Sequence, residues 1–308
     1  MLRTSVQSVL KRSRITTAFA QSSLGEATAE QFIAGHHVTD ALDVVLELKN
    51  QGLLATVERL LEEPTDEAGS RTNTMSYLDV VRAFTGANLH SDLDISVDLV
   101  VLGLNLENGE LIATENLMKV CQAAAESDIS VTITVGEGQS VPAIVRIAHE
   151  LAPRFSKIGI TLQSALLRSE QDVEVFGSSG ARVRLCKGAP SDSADGVYTT
   201  KQDIDKAFVR EVRTLLNSGT YVMVATHDER LIQISQALAL RGGRAKESFE
   251  FQLYLGVAPA EQQRLLGLGH RVRVHVPFGE QWLPIVAERV VRKPSSIISA
   301  TRSLFHRN

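Results

Sequence analysis

Aromatic residues are scarce in this 308-residue chain. They make up 5% of it, with four tyrosines and a single tryptophan. Cysteine is scarcer still. Cys121 and Cys186 are the whole supply, and they form no Cys-x-x-Cys pair or other metal-spaced set. Each falls in an apolar run, so both are expected to be inert core thiols of a protein in a reducing compartment. The eight histidines are scattered, and neither His36-His37 nor the step His149-Glu150 has the partners of a zinc motif, so no metal is expected. No uncharged apolar run reaches the ~18 residues of a membrane-spanning helix. A basic excess is also lacking. Lys plus Arg number 32 against 36 Asp plus Glu, a net charge of −4, which argues against a nucleic-acid partner.

Hydrophobic residues make up 44% of the chain, too many for disorder. A chain of this length buries roughly three quarters of its unfolded surface and needs no disulfide or metal staple. Residues 1–25 carry Arg3, Lys11, Arg12 and Arg14 and no acid before Glu26. That composition suits a transit peptide or a basic N-terminal arm, and the arm is the expectation here; the apolar stretch of a secretory signal is missing.

Strand-length apolar runs recur at 53–60, 93–103, 129–135, 158–166, 182–186, 221–226, 249–255 and 272–276. Helical spacings lie between them at 75–88, 109–126, 140–152, 201–217, 228–241 and 259–267, with a short helix near 168–175 and a last one near 281–292. Strands alternating with helices imply parallel βαβ units, and eight strands predict an α/β fold of the (β/α)8 TIM-barrel type. A doubly wound nucleotide-binding sheet is disfavoured, since Gly136-Glu-Gly138 is the nearest approach to its glycine fingerprint. Extra helices are expected within 26–50, where Thr39-Asp40 and the spacing Ala41, Leu42, Val45, Leu46, Leu48 look like a capped amphipathic helix. The expected division is an N-terminal helical arm (1–50), a barrel (51–294) and a basic tail (295–308).

Chemistry in a barrel sits at the carboxyl ends of the strands. Strand five ends in Arg184-Leu-Cys-Lys187-Gly188-Ala-Pro190, cations beside a glycine that permits close backbone approach. Strand six ends in Ala225-Thr226-His227-Asp228, at the start of a helix whose N-terminus favours anions. Gln163 ends strand four, and Phe249-Glu250-Phe251-Gln252 lies in strand seven. Buried polar residues that tie strand ends together would explain each of these singly. Two cations, a histidine and a helix terminus on one rim favour a ligand with phosphates.

These stretches, with Val272-Arg-Val-His-Val-Pro-Phe-Gly279, Trp282 and Lys293-Pro294, resemble the proline dehydrogenases in order and spacing from about residue 30 to 297. Gln31-Phe-Ile-Ala-Gly35 and Thr39-Asp-Ala-Leu42 look like the bacterial single-function form. The resemblance implies noncovalent FAD over the strand ends and oxidation of L-proline to pyrroline-5-carboxylate, with electrons passed to a quinone. It implies Arg184 beside the flavin ring, Gln163 at the ring's edge, and Lys187, Gly188, Thr226 and His227 on the pyrophosphate and adenosine. It also implies Glu250 on a ribose hydroxyl or supporting the rim.

The substrate side departs from the family. Asp98 stands for its lysine in strand two, Thr134 for its aspartate in strand three, and His275 and Ile285 for two tyrosines. Pro190 replaces a third tyrosine, and Tyr254 replaces a leucine that faces the substrate. The arginine pair that clamps the substrate carboxylate reads Glu288-Arg289. Arg184 and Arg289 are the catalytic residues that remain. None of Tyr77, Tyr198, Tyr221 and Tyr254 stands where the family has its substrate tyrosines. Asp98 could pair with Arg289, and Glu288 could pair with Arg292 four residues on.

Three readings follow. The chain is a proline dehydrogenase with an unusual pocket, an FAD-dependent oxidoreductase for another small and cationic amine, or a non-catalytic flavin-binding relative. The tail from Arg289 to Asn308 carries Arg289, Arg292, Lys293, Arg302 and Arg307 and no acid. It is read either as a solvated end or as a peripheral contact of a cytoplasmic protein with the inner face of the membrane, where a quinone would be met.

Overall fold

The computed structural model describes residues 31–135, 140–189 and 196–283. Eight parallel strands close into a barrel in sequence order: β1 (Leu54–Arg59), β2 (Asp94–Asp98), β3 (Ser130–Thr134), β4 (Ile158–Gln163), β5 (Arg182–Cys186), β6 (Val222–Ala225), β7 (Phe249–Tyr254) and β8 (Arg271–Phe278). Closure is made by β8 on β1, in a register that runs from Leu54 opposite Arg273 to Arg59 opposite Phe278. The outer layer holds α1 (Val38–Asn50), α2 (Glu67–Gly86), α3 (Gly109–Glu126), α4 (Val141–Leu151), α5 (Ser169–Ser179), α6 (Lys201–Ser218), α7 (Glu229–Arg241) and α8 (Pro259–Gly267). The barrel expected from the alternation is therefore present. Among the described residues no helix is long and apolar enough to cross a membrane.

Helices α2 to α8 each follow a strand, whereas α1 precedes β1 and packs against β1 and β8. It buries Ala41, Val45 and Leu48, one face at helical spacing. Its cap lies two residues earlier than Thr39. His37 is the N-cap residue, and the Asp40 carboxylate accepts from the amides of His36 (2.9 Å) and His37 (2.8 Å).

Three element ends differ from the expected ones. Helix α2 begins at Glu67 rather than near 75, where Asp66 caps it by accepting from the Gly69 amide at 2.8 Å. Its first two turns bury Ser70 and Thr74, so they show no apolar spacing. Strand β2 stops at Asp98, although the apolar run continues to 103. Leu99, Val101, Leu102 and Leu104 are buried in turns, and the amides of Asn73 and Asn116 satisfy the carbonyls of Val101 (2.8 Å) and Leu102 (3.1 Å). Apolarity there reports burial, not extension. Strand β4 likewise ends at Gln163. The expected last helix and the basic tail lie outside the described residues, apart from Gln281, Trp282 and Leu283. Trp282 is buried against Phe32 and Ile33, which seats residues 31–35 at the carboxyl end of β8.

Candidate active site

Every second residue of the strands points into the barrel, and the inward set is mostly polar. Hydrogen bonds that cross the barrel establish this: Arg182 on β5 reaches Asp94 on β2, and Arg184 on β5 reaches Ser96 on β2. The polar groups form three tiers.

The floor lies at the amino ends of the strands. Asp94 accepts from Thr56 (2.9 Å), Thr132 (2.8 Å) and Arg182 (3.3 Å). Beside it, Arg273 grips Glu250 through Nε (2.6 Å) and Nη2 (3.1 Å). The other terminal nitrogen of Arg273 donates to the carbonyls of Ala55 and Asp92, both at 2.7 Å. Tyr221 and Gln252 also donate to Glu250, each at 2.8 Å. Burial would push Glu250 up, but the guanidinium of Arg273 outweighs it and holds the carboxyl at about 2. The expectation for Glu250 is therefore corrected. It is fully buried at the end of the barrel opposite the rim, with both oxygens engaged, and cannot reach a ribose there.

The middle tier is Arg184, 5% exposed. Its Nε donates to Thr161 Oγ1 at 2.8 Å and its Nη2 to Ser96 Oγ at 2.9 Å. Its Nη1 is buried and has no hydrogen-bond partner. An unsatisfied buried donor of a charged group is costly, at about 1–3 kcal/mol or more, and calls for a ligand.

The mouth is formed by Glu58, Asp98, Thr134, Gln163, Cys186, His227, Tyr254 and His275, at the carboxyl ends of the strands. Asp98 accepts from the Val100 amide at 2.8 Å. Burial pushes it up to about 6, and the like charges of Glu58 and Glu63 add to that. His275 Nε2 lies 2.7 Å from Glu58 Oε2. The rings of His227 and Tyr254 stack at 5.4 Å, and His275 meets Tyr254 edge-on at 5.1 Å. The amide of Tyr254 donates to His227 Nε2 at 2.9 Å, so a neutral His227 carries its proton on Nδ1. Gln163 donates to the Val135 carbonyl at 2.5 Å, and Thr134 to the Val97 carbonyl at 3.1 Å. Cys186 faces this tier rather than the packed core, and burial raises its thiol to about 11. Cys121 lies in the core on α3, pushed up to about 12 by burial, so neither thiol is poised to react.

The rim over β5 and β6 also departs from expectation. Lys187 is paired with Asp205 on α6 and with Asp228 at 3.3 Å, while Arg230 bonds Asp205 at 2.7 Å. Its charge is already matched by two carboxylates, which leaves one of its three N–H donors for an anion. The N-terminus of α7 is likewise occupied, since Asp228 caps it and Thr226 Oγ1 accepts the Asp228 amide at 3.2 Å. Gly188 is at φ +69°, and a Cβ there would come within 2.8 Å of Ala165 and Gln163. Packing against the protein itself thus requires this glycine. Pro190, Ile285, Glu288 and Arg289 lie outside the described residues.

Arg184, Gln163, Thr226, His227, Asp98, Thr134, Tyr254 and His275 are thus gathered at one end of the barrel. Lys187 stands just outside, and Glu250 stands at the far end. Sequence reasoning missed Glu58, Ser96, Thr161, Asp94 and Arg273. A signal was available: parallel strands buried on both faces read as continuous apolar runs, whereas these alternate with polar residues. For a flavin, the fit lies with Arg184, a cation whose buried Nη1 has no hydrogen-bond partner within the protein. The phosphate half of the expected set is engaged within the protein.

The family model described as proline dehydrogenase matches residues 41–282. Proline dehydrogenase 2 of Bacillus subtilis is 27% identical over 295 residues, 96% of this chain and 96% of that protein. Proline dehydrogenase 1 of the same species is 29% identical over 287 residues, 93% and 94% of the two chains. The proline dehydrogenase of Deinococcus radiodurans is 29% identical over 268 residues, 86% of each. Among solved structures, proline utilization A from Bdellovibrio bacteriovorus superposes with a TM-score of 0.81 at 21% identity. That match covers 87% of this chain and 33% of the longer one, and it speaks for the fold alone.

Proposed function

The chain belongs to the proline dehydrogenase family and is an oxidoreductase; from that premise we propose that it works with FAD at the mouth of its barrel. It oxidises L-proline, or a related cyclic or small amine, to the imine, which for proline is pyrroline-5-carboxylate. The electrons pass to a quinone-type acceptor. Bound FAD would supply the acceptor for the hydride that leaves the carbon next to nitrogen; the lone pair of the deprotonated nitrogen would close the C=N bond, and the remaining N–H proton would pass to solvent to leave the imine.

The observation that carries this reading is the open Nη1 of Arg184. Ser96 and Thr161 hold the guanidinium in one orientation, so its charge is fixed without rearrangement. A fixed cation there favours negative charge arriving on a neighbouring ring. Gln163 would meet the ring's edge, and His227 with Thr226 would meet the more distal part of the cofactor. Lys187 would join them through the N–H that Asp205 and Asp228 leave over. Arg289 remains the candidate for the substrate's carboxylate, from the sequence. A cytoplasmic protein with a basic tail at the membrane face fits a quinone acceptor.

The test is the visible spectrum of the purified protein. FAD added and then desalted should leave a yellow protein whose oxidised-flavin band bleaches under anaerobic proline. A protein left colourless removes the FAD assignment.

A further inference from the structure

Two hydroxyls from different sides of the barrel share one guanidinium. Thr161 stands beside Arg184 in the register of β4 on β5, and Ser96 reaches it from β2. Ser96 is fully buried and Thr161 is 6% exposed. Thr161 accepts from Nε and Ser96 from Nη2. A guanidinium has donors and no acceptor, so the direction of both bonds is fixed. Each hydroxyl therefore still has its own proton to place. Among the described residues neither of them donates a hydrogen bond.

The floor is built the other way. There the hydroxyls of Thr56 and Thr132 donate to Asp94, and that of Tyr221 donates to Glu250. The arginines of the floor are closed on the same carboxylates, Arg182 on Asp94 and Arg273 on Glu250. Among the described residues no carboxylate pairs with Arg184, and its buried Nη1 has no partner. The middle tier thus holds a cation by neutral acceptors only. A carboxylate partner would cancel the charge that it orients. A hydroxyl fixes the guanidinium and leaves the charge for something else.

We propose that Ser96 and Thr161 are positioning residues for the redox step, setting how strongly Arg184 favours the reduced flavin over the oxidised one. The proposal rests on the FAD reading of the site and adds the groups that tune it. Reduction brings negative charge onto the ring. A cation held still and not neutralised acts on that charge more than on the neutral ring. Freed from either hydroxyl, the guanidinium would turn or draw in water, and the difference between the two redox states would shrink.

The readout is the midpoint potential of the bound flavin, titrated anaerobically against reference dyes. Thr161→Val keeps the side-chain shape and removes the acceptor for Nε. It is expected to lower the preference for reduced flavin about tenfold, a potential about 30 mV lower for a two-electron couple. Ser96→Ala should act in the same direction. Thr161→Ser returns the oxygen and should restore the native potential. In an Arg184→Met background, Thr161→Val should move the potential by less than about twofold in that preference, because the group it positions is gone. A merely structural role would weaken both redox forms alike and leave the potential in place. Unmoved potentials in Thr161→Val and Ser96→Ala overturn the proposal, as does a full Thr161→Val shift that persists without Arg184. If Thr161→Val does not fold, Ser96→Ala, which removes a single oxygen, decides alone. A native protein that takes up no flavin overturns the FAD reading and this proposal together, whereas uptake with unmoved potentials overturns this proposal only.

Discussion

The floor of the barrel concentrates its electrostatic risk in two residues. Arg273 and Glu250 are almost fully buried and neutralise each other through two hydrogen bonds. Arg273→Met would leave a buried carboxylate without its cation and should cost about 3–5 kcal/mol in urea denaturation. Adding Glu250→Leu should recover much of that loss, because the charge that needed a partner is gone. Glu211 on α6 shows the opposite case. It is 1% exposed, takes a hydrogen bond from Ser164 at 2.5 Å, and has one oxygen without a partner. Burial raises it from 4.5 to about 6. The folded state therefore holds a proton that the unfolded state has lost between pH 4.5 and 6, and stability falls as pH rises through that window. Glu211→Gln should stabilise by roughly 1–2 kcal/mol above pH 6 and give no gain below pH 4.5, read from denaturation midpoints across pH. At the mouth, Arg184→Ala should weaken FAD binding about 10- to 100-fold in a fluorescence-quench titration, the effect of losing a charged hydrogen bond. Arg184→Lys should restore little, since one ammonium cannot serve Thr161, Ser96 and a ring together.

At the level of elements, capping and inward alternation decide more than apolar runs. Asp66 starts α2 at a point that no hydrophobic spacing marks. Asp66→Ala should cost about 0.5–2 kcal/mol and loosen the polar first turns of α2, visible as faster amide exchange at Gly69. Helices α4 and α6 were legible because their buried positions are apolar at helical spacing, apart from Asp205 and Glu211 on α6. The first turns of α2 were not, because they bury Ser70, which accepts from Asn116, and Thr74. The turns after β2 misled in the other direction, since Leu99, Leu102 and Leu104 are as buried as strand residues. Glycine at 256 is demanded by an approach that only folding creates: at φ +71°, a Cβ would come within 1.9 Å of the Gln31 carbonyl.

For the whole molecule, a barrel with polar tiers suits a ligand that must be oriented and kept from water. Its floor is already hydrogen-bonded, and the open valence is Nη1 of Arg184 in the middle tier. The proposed membrane contact of the basic tail is read from charge alone. Removing residues 295–308 should lower co-sedimentation with anionic liposomes while leaving the flavin spectrum unchanged; equal sedimentation of both forms makes the tail a solvated end.

Residue order alone determined the eight-stranded alternation and the resemblance to the family, and singled out Arg184, Asp98 and His275. Those features follow from local periodicity and from motifs that are contiguous in the chain. What each polar residue faces was decided by the closed barrel. Glu250 and Gln252 are neighbours in one motif, yet Glu250 belongs to the floor because Arg273 and Tyr221 arrive from adjacent strands. Lys187 looked open for a phosphate until α6 and α7 brought Asp205 and Asp228 to it. Glu58 was marked in the sequence only as a polar break in an apolar run until β8 placed His275 beside it. Charge in a folded site is set by partners far apart in sequence, because Coulomb energy depends on distance through space and on burial. The four tyrosines show the same division. Their scarcity is a property of the chain, but only the fold makes Tyr221 a donor to Glu250 and Tyr254 an aromatic wall of the mouth.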